Sequence, residues 1–501
     1  MTEKYKYQFG TEPYEHQIEA LHRAWGRDAY AFFMEMGTGK TKVAIDEMCM
    51  LFEMGRISRA LVLAPKGVYL NWSLREIPAH MPERIAQRAD ILHWMPGGGS
   101  KTHQRQLETL LSNNDKFQVL IMNIEALSSG VKGLRFAERF LQSGGGTYMV
   151  VDESTFIKSG TSARTKNVIS LGGHAGYRRI MTGLPTPNSP LDAYSQFEFL
   201  GSSLLGFRSY YSFRNRYAVL QDGIATSFDP KTHVMKERKY KVVVAHRNTE
   251  ELAEKIKRHA YRVTKDECLD LPPKVYSTRD VELTPDQREM YATMRELALS
   301  EILDEGDPTD MMAYATIVLT KILRLQQIVC GHITDEDGDV HRVSNNRISE
   351  MMRVLEETPG KIVIWATWQP NIEDIVSAVK KEYGDESIAE YHGRNTRVRD
   401  SEAQRFLTDD QCNFIVSSQQ SGGFGNTWVV PYNVLYYSNT HNLEHRLQSE
   451  DRVHRSGQTR SVNYIDLVSR STVDEVILRA LRTKIDLAAV ITGDSIRDWV
   501  I

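Results

Sequence analysis

Three groups of residues have the types and spacing to do chemistry on a phosphate. The first is Met34–Thr41 (MEMGTGKT), which follows the apolar stretch Ala29–Phe33 and precedes a helix-like segment, Lys42–Phe52. Gly37 and Gly39 would let backbone N–H groups approach phosphate oxygens, with Lys40 reaching the outer phosphates and the Thr41 hydroxyl ligating Mg2+. Met34 stands where the full G-x-x-x-x-G-K-[ST] pattern has its first glycine, so a plain glycine-rich turn with an exposed lysine is the competing reading. The second group is Asp152-Glu153, at the end of the apolar run Thr147–Glu153. An aspartate there can hold a divalent cation, and its neighbour can polarise a water as general base. An acidic helix N-cap is the alternative. The third is Gln448–Gln458 (QSEDRVHRSGQ), in which Arg452 and Arg455 would share a face if helical. Arginines can stabilise the charge that develops during phosphoryl transfer. A solvated basic turn is the alternative.

The elements that must position these residues follow from apolar patterning. Short apolar runs occur at 59–66, 117–125, 147–153 and 178–183, and again at 361–368, 413–420, 433–439 and 461–468. Runs of this length and composition read as strands buried on both faces. Charged stretches such as 101–111 and 402–408 lie between them and suit helices, so the fold class is α/β with parallel sheets. The intervening 191–359 reads as mostly helical, with 250–259 and 284–299 as amphipathic candidates, and Leu271-Pro272-Pro273 breaks any helix there. Two α/β lobes with a hinge result.

Composition excludes several classes. The 501 residues carry 62 Lys+Arg against 65 Asp+Glu, a net charge of −3, so the chain is not globally basic, although a basic groove remains possible. No apolar run approaches the length of a membrane helix, and the N-terminus has no signal-peptide core. Cys49, Cys268, Cys330 and Cys412 are scattered, which argues against a disulfide framework and favours a reducing compartment.

With these segments in hand, the sequence resembles the superfamily 2 helicase-like ATPases, and within them the Swi/Snf-type DNA translocases, from about Pro13 to Leu481. Pro13-Tyr14…Gln17 resembles the adenine-sensing motif, 34–41 the phosphate-binding motif, and Leu63-Ala64-Pro65 with Asn71-Trp72…Glu76 the motif after it. Val151–Lys158 resembles the Asp-Glu box with its trailing lysine, and Thr182-Gly183-Leu184-Pro185…Asn188 the coupling motif. Branch-specific wording continues at Leu271–Lys274, Leu283-Thr284-Pro285…Gln287…Tyr291 and Arg324…Ile328…Cys330…His332. His392-Gly393, Ser421–Thr427 and Gln448…Arg455 follow in the expected order. The departures are Ser154-Thr155 after the Asp-Glu pair, Leu184 in place of a threonine, and Asn426 one position early.

The resemblance implies two RecA-like lobes with helical insertions: an ATP-binding lobe over 1–272 with an insertion near 191–260, a second lobe over 273–485 with an insertion near 284–335, and a tail over 486–501. It implies ATP and Mg2+ as cofactors. Lys40, Asp152, Glu153, Arg452 and Arg455 would be catalytic, with Thr41 and Asp152 on the metal. Gln17, Gly37, Thr38, Gly39, Lys40, Thr41, Gly425 and Gln448 would bind ATP. Lys66, Trp72, Lys158, Gly393 and Ser421 would meet DNA, although Trp72 suits core or lobe packing better than base stacking and Lys158 equally suits a solvated face. The implied activity is ATP-driven movement along DNA, more fitting as duplex tracking than as unwinding, in a cytoplasmic setting such as a bacterial or phage-infected cell. An RNA helicase, the motor subunit of a restriction or defence complex, and a nucleotide-switched DNA-binding scaffold are the alternatives. Cys330 and His332 lack two further ligands for a metal.

Overall fold

The structure, a computed structural model, describes residues 7–95, 99–112, 115–129, 131–229, 234–304, 311–335, 337–395, 398–422 and 428–492. The chain divides into two compact units. One is built on Met1–Tyr217 and Asn248–Asp270 with the end of the last helix, the other on Ala218–Arg247 and Leu271–Asp486.

The first unit contains β1 (Ala29–Met34), β2 (Arg59–Ala64), β3 (Ala89–His93), β4 (Phe117–Asn123), β5 (Thr147–Asp152) and β6 (Tyr177–Met181). Two strands of the second unit follow, β7 (Ala218–Asp229) and β8 (Val234–His246), and then β9 (Ala260–Val263) completes the first sheet. The seven strands run in the order β3-β4-β2-β5-β6-β1-β9, and every pairing is parallel. β2, β4 and β5 are buried at every position, as expected of parallel strands covered on both faces. Helices α1 (Glu15–Ala24) and α2 (Lys40–Glu53) pack on one face, where Val43, Ile45, Met48 and Phe52 meet Phe32, Val62, Val119 and Val150. α2 is buried nearly all round.

One polar cluster inside this core is closely paired. Arg179 on β6 makes a 2.5 Å ion pair with Glu47 on α2, both side chains being 1% exposed, and the Tyr148 hydroxyl of β5 donates to the other Glu47 oxygen at 2.9 Å. The remaining guanidinium N–H groups donate to the carbonyls of Arg27, Asp28 and Arg178. This cluster locks α2, and so the loop before it, onto the sheet.

The second unit holds β10 (Lys274–Asp280), a short hairpin of β11 (His332–Thr334) and β12 (Val340–Arg342), then β13 (Ile362–Trp365), β14 (Ile388–Tyr391), β15 (Phe414–Ser417), β16 (Asn433–Tyr436) and β17 (Val462–Val468). Its main sheet has the order β10-β17-β16-β13-β15-β14 and is parallel throughout. One core lies on each face: Ile364, Ile372, Ile375 and Leu435 on one, Trp365, Trp428, Phe406 and Tyr464 on the other. Helices Pro285–Asp304 and Met311–Val329 pack on each other within this unit.

One expectation is corrected. The insertion near 191–260 is not helical throughout, because β7 and β8 form a long antiparallel hairpin within it. Its β-branched and aromatic residues (Val219, Ile224, Thr226, Tyr240, Val242, Val243, Val244) favour an extended chain over a helix. The hairpin groups with the second unit rather than the first.

The buried Arg179–Glu47 pair predicts a measurable asymmetry. Arg179→Met strands a carboxylate in the core and should lower the unfolding free energy of the first unit by about 3–5 kcal/mol. The double variant Arg179→Met/Glu47→Leu should recover part of that loss, and urea denaturation of the three proteins checks it.

Candidate active site

Parallel strands place their C-terminal ends on one edge of a sheet, where ligands bind. Four neighbours, β2, β5, β6 and β1, deliver to that edge Lys66, Asp152-Glu153, Thr182-Gly183 and the loop Glu35–Gly39 in turn. The first unit's chemistry is therefore gathered by topology, although the residues lie far apart in sequence.

The loop is shaped by backbone conformation. Gly37 and Gly39 both have φ in the left-handed region, at 82° and 86°, and Gly39 caps α2. The free N–H groups of a helix start then face outward, an arrangement suited to an anion. Thr38 closes the turn, its N–H and hydroxyl both donating to the Glu35 carbonyl. Gln17 buttresses the loop from α1: its Nε2 donates to the Thr38 carbonyl at 3.1 Å, and its Oε1 accepts from the Tyr14 N–H. His16 Nε2 lies 2.7 Å from the same carbonyl, and because a carbonyl only accepts, that nitrogen carries the proton. A Cβ at Gly39 would fall 2.1 Å from Gln17 Nε2 and would push that amide off the loop, while the left-handed φ is what requires glycine. Gly183 presses on the loop from the other side, where a Cβ would sit 3.1 Å from the Met36 nitrogen.

Lys40 begins α2 and is 8% exposed. Its charge acts on Asp152, at the end of β5. Burial raises the Asp152 pKa above its ordinary value, opposed by the Trp72 indole N–H, the Lys40 ammonium and the Glu153 N–H. Trp72 Nε1 donates to Oδ2 at 2.9 Å and the Glu153 N–H donates to Oδ1 at 3.0 Å. Glu153 adopts a left-handed backbone (φ 49°), uncommon for a residue with a side chain. Its Oε2 accepts from the Thr182 hydroxyl at 3.2 Å, and the Thr182 hydroxyl oxygen in turn accepts from the Leu184 N–H.

The donor set fits Mg2+. It offers one buried carboxylate, Asp152, and one hydroxyl in the first turn of α2, Thr41. No group of three or more His, Cys, Asp or Glu among the described residues could hold a metal by itself. Mg2+ commonly takes one or two protein oxygens and completes its shell with phosphates and water.

In the second unit, helix Leu443–Glu450 carries Gln448, and Arg452 and Arg455 follow it in turns rather than sharing a helical face. Both arginines are half-buried, and the Gln458 N–H donates to the Arg455 carbonyl. Gln448 is 2% exposed, and its Oε1 has no hydrogen-bond partner among the described residues, an acceptor that suits a ligand donor. The helix is pinned by a buried ionic network. Arg446 bonds Asp466 at 2.6 Å and Glu450 at 2.9 Å, while Lys274 and the Tyr276 hydroxyl reach the second Glu450 oxygen. Burial alone would raise the Glu450 pKa, but the Lys274 and Arg446 cations outweigh it and hold it below the usual range. His454 bonds the Pro272 carbonyl within this same unit.

The DNA-contact candidates separate. Lys66 is exposed at the end of β2, its N–H held by the Glu125 carboxylate. Lys158 is half-buried beyond the short turn Ser154–Ile157, and Gly393 is exposed after β14. Ser421 lies in the four-residue helix Gln419–Gly422. Gly425 and Asn426 lie outside the described residues. Trp72 is corrected: it is 2% exposed, packed in the core and bonded to Asp152, so its ring has no free face on which a base could stack.

Several contacts had no local signal. Ser154, a departure from the family wording, donates to Gln196 Oε1 at 2.6 Å. Gln196 Nε2 donates to the carbonyls of Pro185 and Asp192, tying the Asp-Glu box to the coupling motif. Gln196 lies 42 residues from Ser154, too far for spacing to reveal. Leu184 is buried. Burial also pushes the His332 pKa down to about 4, which suits a packed neutral imidazole.

The SNF2-related domain family matches residues 16–333. An uncharacterised ATP-dependent helicase of Mycoplasma genitalium is 24% identical over 459 residues, covering 90% of this chain and 39% of that protein. The ATP-dependent helicase FUN30 of Saccharomyces cerevisiae is 22% identical over 533 residues, covering 92% of this chain and 44% of that protein. The chain thus spans less than half the length of either curated relative. The solved Sulfolobus solfataricus SWI2/SNF2 ATPase core in complex with dsDNA is 22% identical with a TM-score of 0.41, covering 98% of this chain and 95% of that one.

Two outcomes are expected of this geometry. Gly39→Ala, which combines a left-handed φ with a collision on Gln17, should weaken binding of a fluorescent ATP analogue at least about tenfold. Glu450 has a depressed folded-state pKa, so its stabilisation is present above the ordinary glutamate value and is lost as pH falls toward the folded value. Acid unfolding of the second unit should therefore begin below about pH 4.5 and be blunted in Glu450→Gln, a difference that circular dichroism against pH reads directly.

Proposed function

The chain belongs to the SNF2-related domain family, and on that premise we propose that it is a motor that couples ATP hydrolysis to movement along duplex DNA. The single observation that carries the reading is the first unit's constellation: Lys40 at a glycine-capped helix start, its charge acting on the buried Asp152, with Glu153 held beside it by Thr182.

Each residue has a part. The outward N–H groups of Gly39 and the start of α2 bind phosphate oxygens, and Lys40 neutralises the outer ones. Gln17, through its grip on the Thr38 carbonyl, makes the loop's shape answer to what occupies the adenine side. Mg2+, held by Thr41 and Asp152, would supply charge neutralisation on the phosphate oxygens. Glu153 accepts a proton from the attacking water, and the Thr182 hydroxyl fixes its carboxylate. We assign to Arg452 and Arg455 the positive charge that the transition state needs, and to Gln448 a nucleotide contact. Hydrolysis removes the phosphate charge that those arginines bind, so the ATP and product states differ in affinity for them, as any ligand-driven cycle requires.

Lys66, Lys158, Gly393 and Ser421 are assigned to the polymer. Contacts of this kind go mainly to phosphates and carry little sequence preference. A cytoplasmic place of action is supported by four free thiols, Cys49, Cys268, Cys330 and Cys412, three of them buried. No helix among the described residues is long and apolar enough to cross a membrane.

The test is ATP hydrolysis with no polymer, single-stranded DNA, duplex DNA and RNA. Duplex DNA should stimulate most, and stimulation should fall steeply between low and moderate salt as counterion release weakens binding. Lys40→Ala and Glu153→Gln should abolish turnover, and Arg455→Ala should reduce it by about 10³. Equal rates with and without polymer would overturn the motor reading, and strongest stimulation by RNA would transfer it to an RNA helicase.

A further inference from the structure

The segment between β2 and Ile77 has two sides. Lys66, Gly67, Leu70, Leu74 and Arg75 are exposed along one side, Leu74 to 67%. Tyr69, Trp72 and Ile77 are buried along the other. Its start is tied down by the Glu125 carboxylate on the Lys66 N–H and by the Pro65 carbonyl, which accepts from both Val68 and Tyr69. Its middle is a single π-helical turn, Trp72–Glu76, a geometry frequent at functional sites and looser than an α-helical turn. Trp72 begins that turn and donates to Asp152, 80 residues away.

We infer that Trp72 is a positioning residue through which occupation of the exposed side of 65–76 by DNA phosphates is communicated to the Asp152 carboxylate. This rests on the functional reading above, which supplies both the polymer and the metal. A carboxylate has about four lone-pair directions, and in Asp152 the indole and the Glu153 N–H take one on each oxygen. The directions that remain are the ones a cation can use, so the angle of the carboxylate is set by where the indole sits. The indole is carried by the same short element that presents Lys66 and Arg75. A phosphate pulling on Lys66 or Arg75 therefore acts on a segment whose buried indole, lying between them in sequence, is bonded to the Asp152 carboxylate. Core packing explains the burial of Trp72, but it does not explain why its one polar atom is spent on this carboxylate.

The thermodynamic signature is a coupling: if duplex DNA changes the affinity for the metal by some factor, the metal changes the affinity for DNA by the same factor. The experiment measures Mn2+ binding by EPR in the presence of a non-hydrolysable ATP analogue, with and without duplex DNA, in the parent protein and in Trp72→Phe. The phenyl ring keeps most of the packing and removes the donor. Thermal melting verifies the fold, and should Trp72→Phe fail to fold, Trp72→Met also removes the donor while its flexible chain refills the space. We expect DNA to tighten Mn2+ binding at least threefold in the parent and to leave it unchanged within error in the variant. Fold-stimulation of hydrolysis by DNA should drop about tenfold in the variant, while DNA affinity measured without metal stays within twofold of the parent. Equal DNA-dependent tightening in both proteins, or none in the parent, would overturn the positioning role. Failure of the functional reading shows itself differently, as parent hydrolysis that no polymer stimulates.

Discussion

A carboxylate buried at the end of a strand is the constraint on which the arrangement of the first unit's site depends. Asp152 ends a strand with no exposed residue, and burial pushes its pKa upward. An isolated buried carboxylate would simply take up a proton. Three groups oppose that here, and each comes from a different part of the chain: the Lys40 ammonium from the start of α2, the Trp72 indole from the segment after β2, and the N–H of the next residue. The left-handed backbone of Glu153 accompanies the last of these contacts, since the N–H that reaches Oδ1 belongs to the strained residue itself. Holding one charge in place has therefore recruited a helix, a π-turn and a backbone outlier. Such strain persists where the surroundings over-determine it, and Thr182 supplies that by gripping the Glu153 side chain.

The sequence reading found the strands by apolar runs, and which strands it found has a physical pattern. The five interior strands of the first sheet, β4, β2, β5, β6 and β1, all coincide with apolar stretches picked out beforehand, as do β17, β16, β13 and β15 in the interior of the second. Within these two large sheets, the four strands without such a run, β3, β9, β10 and β14, are the four edges. An interior parallel strand is covered on every side and must be apolar at successive positions, whereas an edge strand faces solvent on one flank. β10 alternates half-buried with exposed residues, and β3 is half-buried at every position. Their sequences, KVYSTRD and ADILH, carry the charges that edges use to discourage further pairing. The β7–β8 hairpin escaped for a different reason: it belongs to no large sheet, its apolar runs (217–220 and 242–245) are only four residues long, and the lysine-rich start of its second strand resembles a solvated helix in composition.

The candidate site shows a similar division. Whatever depends on neighbours along the chain was legible: the glycines that turn the loop, the lysine after them, the acidic pair at a strand end. What depends on distance through space was not. Nothing in the spacing of Trp72 shows that its indole reaches Asp152 rather than a nucleic-acid base, because a tryptophan serves either purpose and only burial decides. The serine after the Asp-Glu pair looked like a defect in a motif. In place it bonds Gln196, which holds Pro185, so the departing residue itself links two motifs. His16 is similar: adjacent to Gln17 in sequence, it becomes meaningful only because both side chains reach one carbonyl in the phosphate loop.

Both units solve the same mechanical problem, which is to hold a charged side chain steady at the end of a helix that hydrophobic packing alone would let slide. Apolar contact is non-directional and tolerates small shifts along an axis. A buried ion pair does not, because a displaced charge loses its partner in a medium of low dielectric. In the first unit the pair is Glu47 with Arg179, placed two turns along the helix that Lys40 begins. In the second it is Arg446 with Asp466 and Glu450, on the helix after which Arg452 and Arg455 follow. Each arrangement joins a helix to strands that are themselves fixed by parallel pairing, β5 and β6 in one case, β10 and β17 in the other. Buried ion pairs add little net stability over well-packed apolar residues. Their presence on the helix that Lys40 begins, and again on the helix that precedes Arg452 and Arg455, is better understood as fixing position than as adding strength.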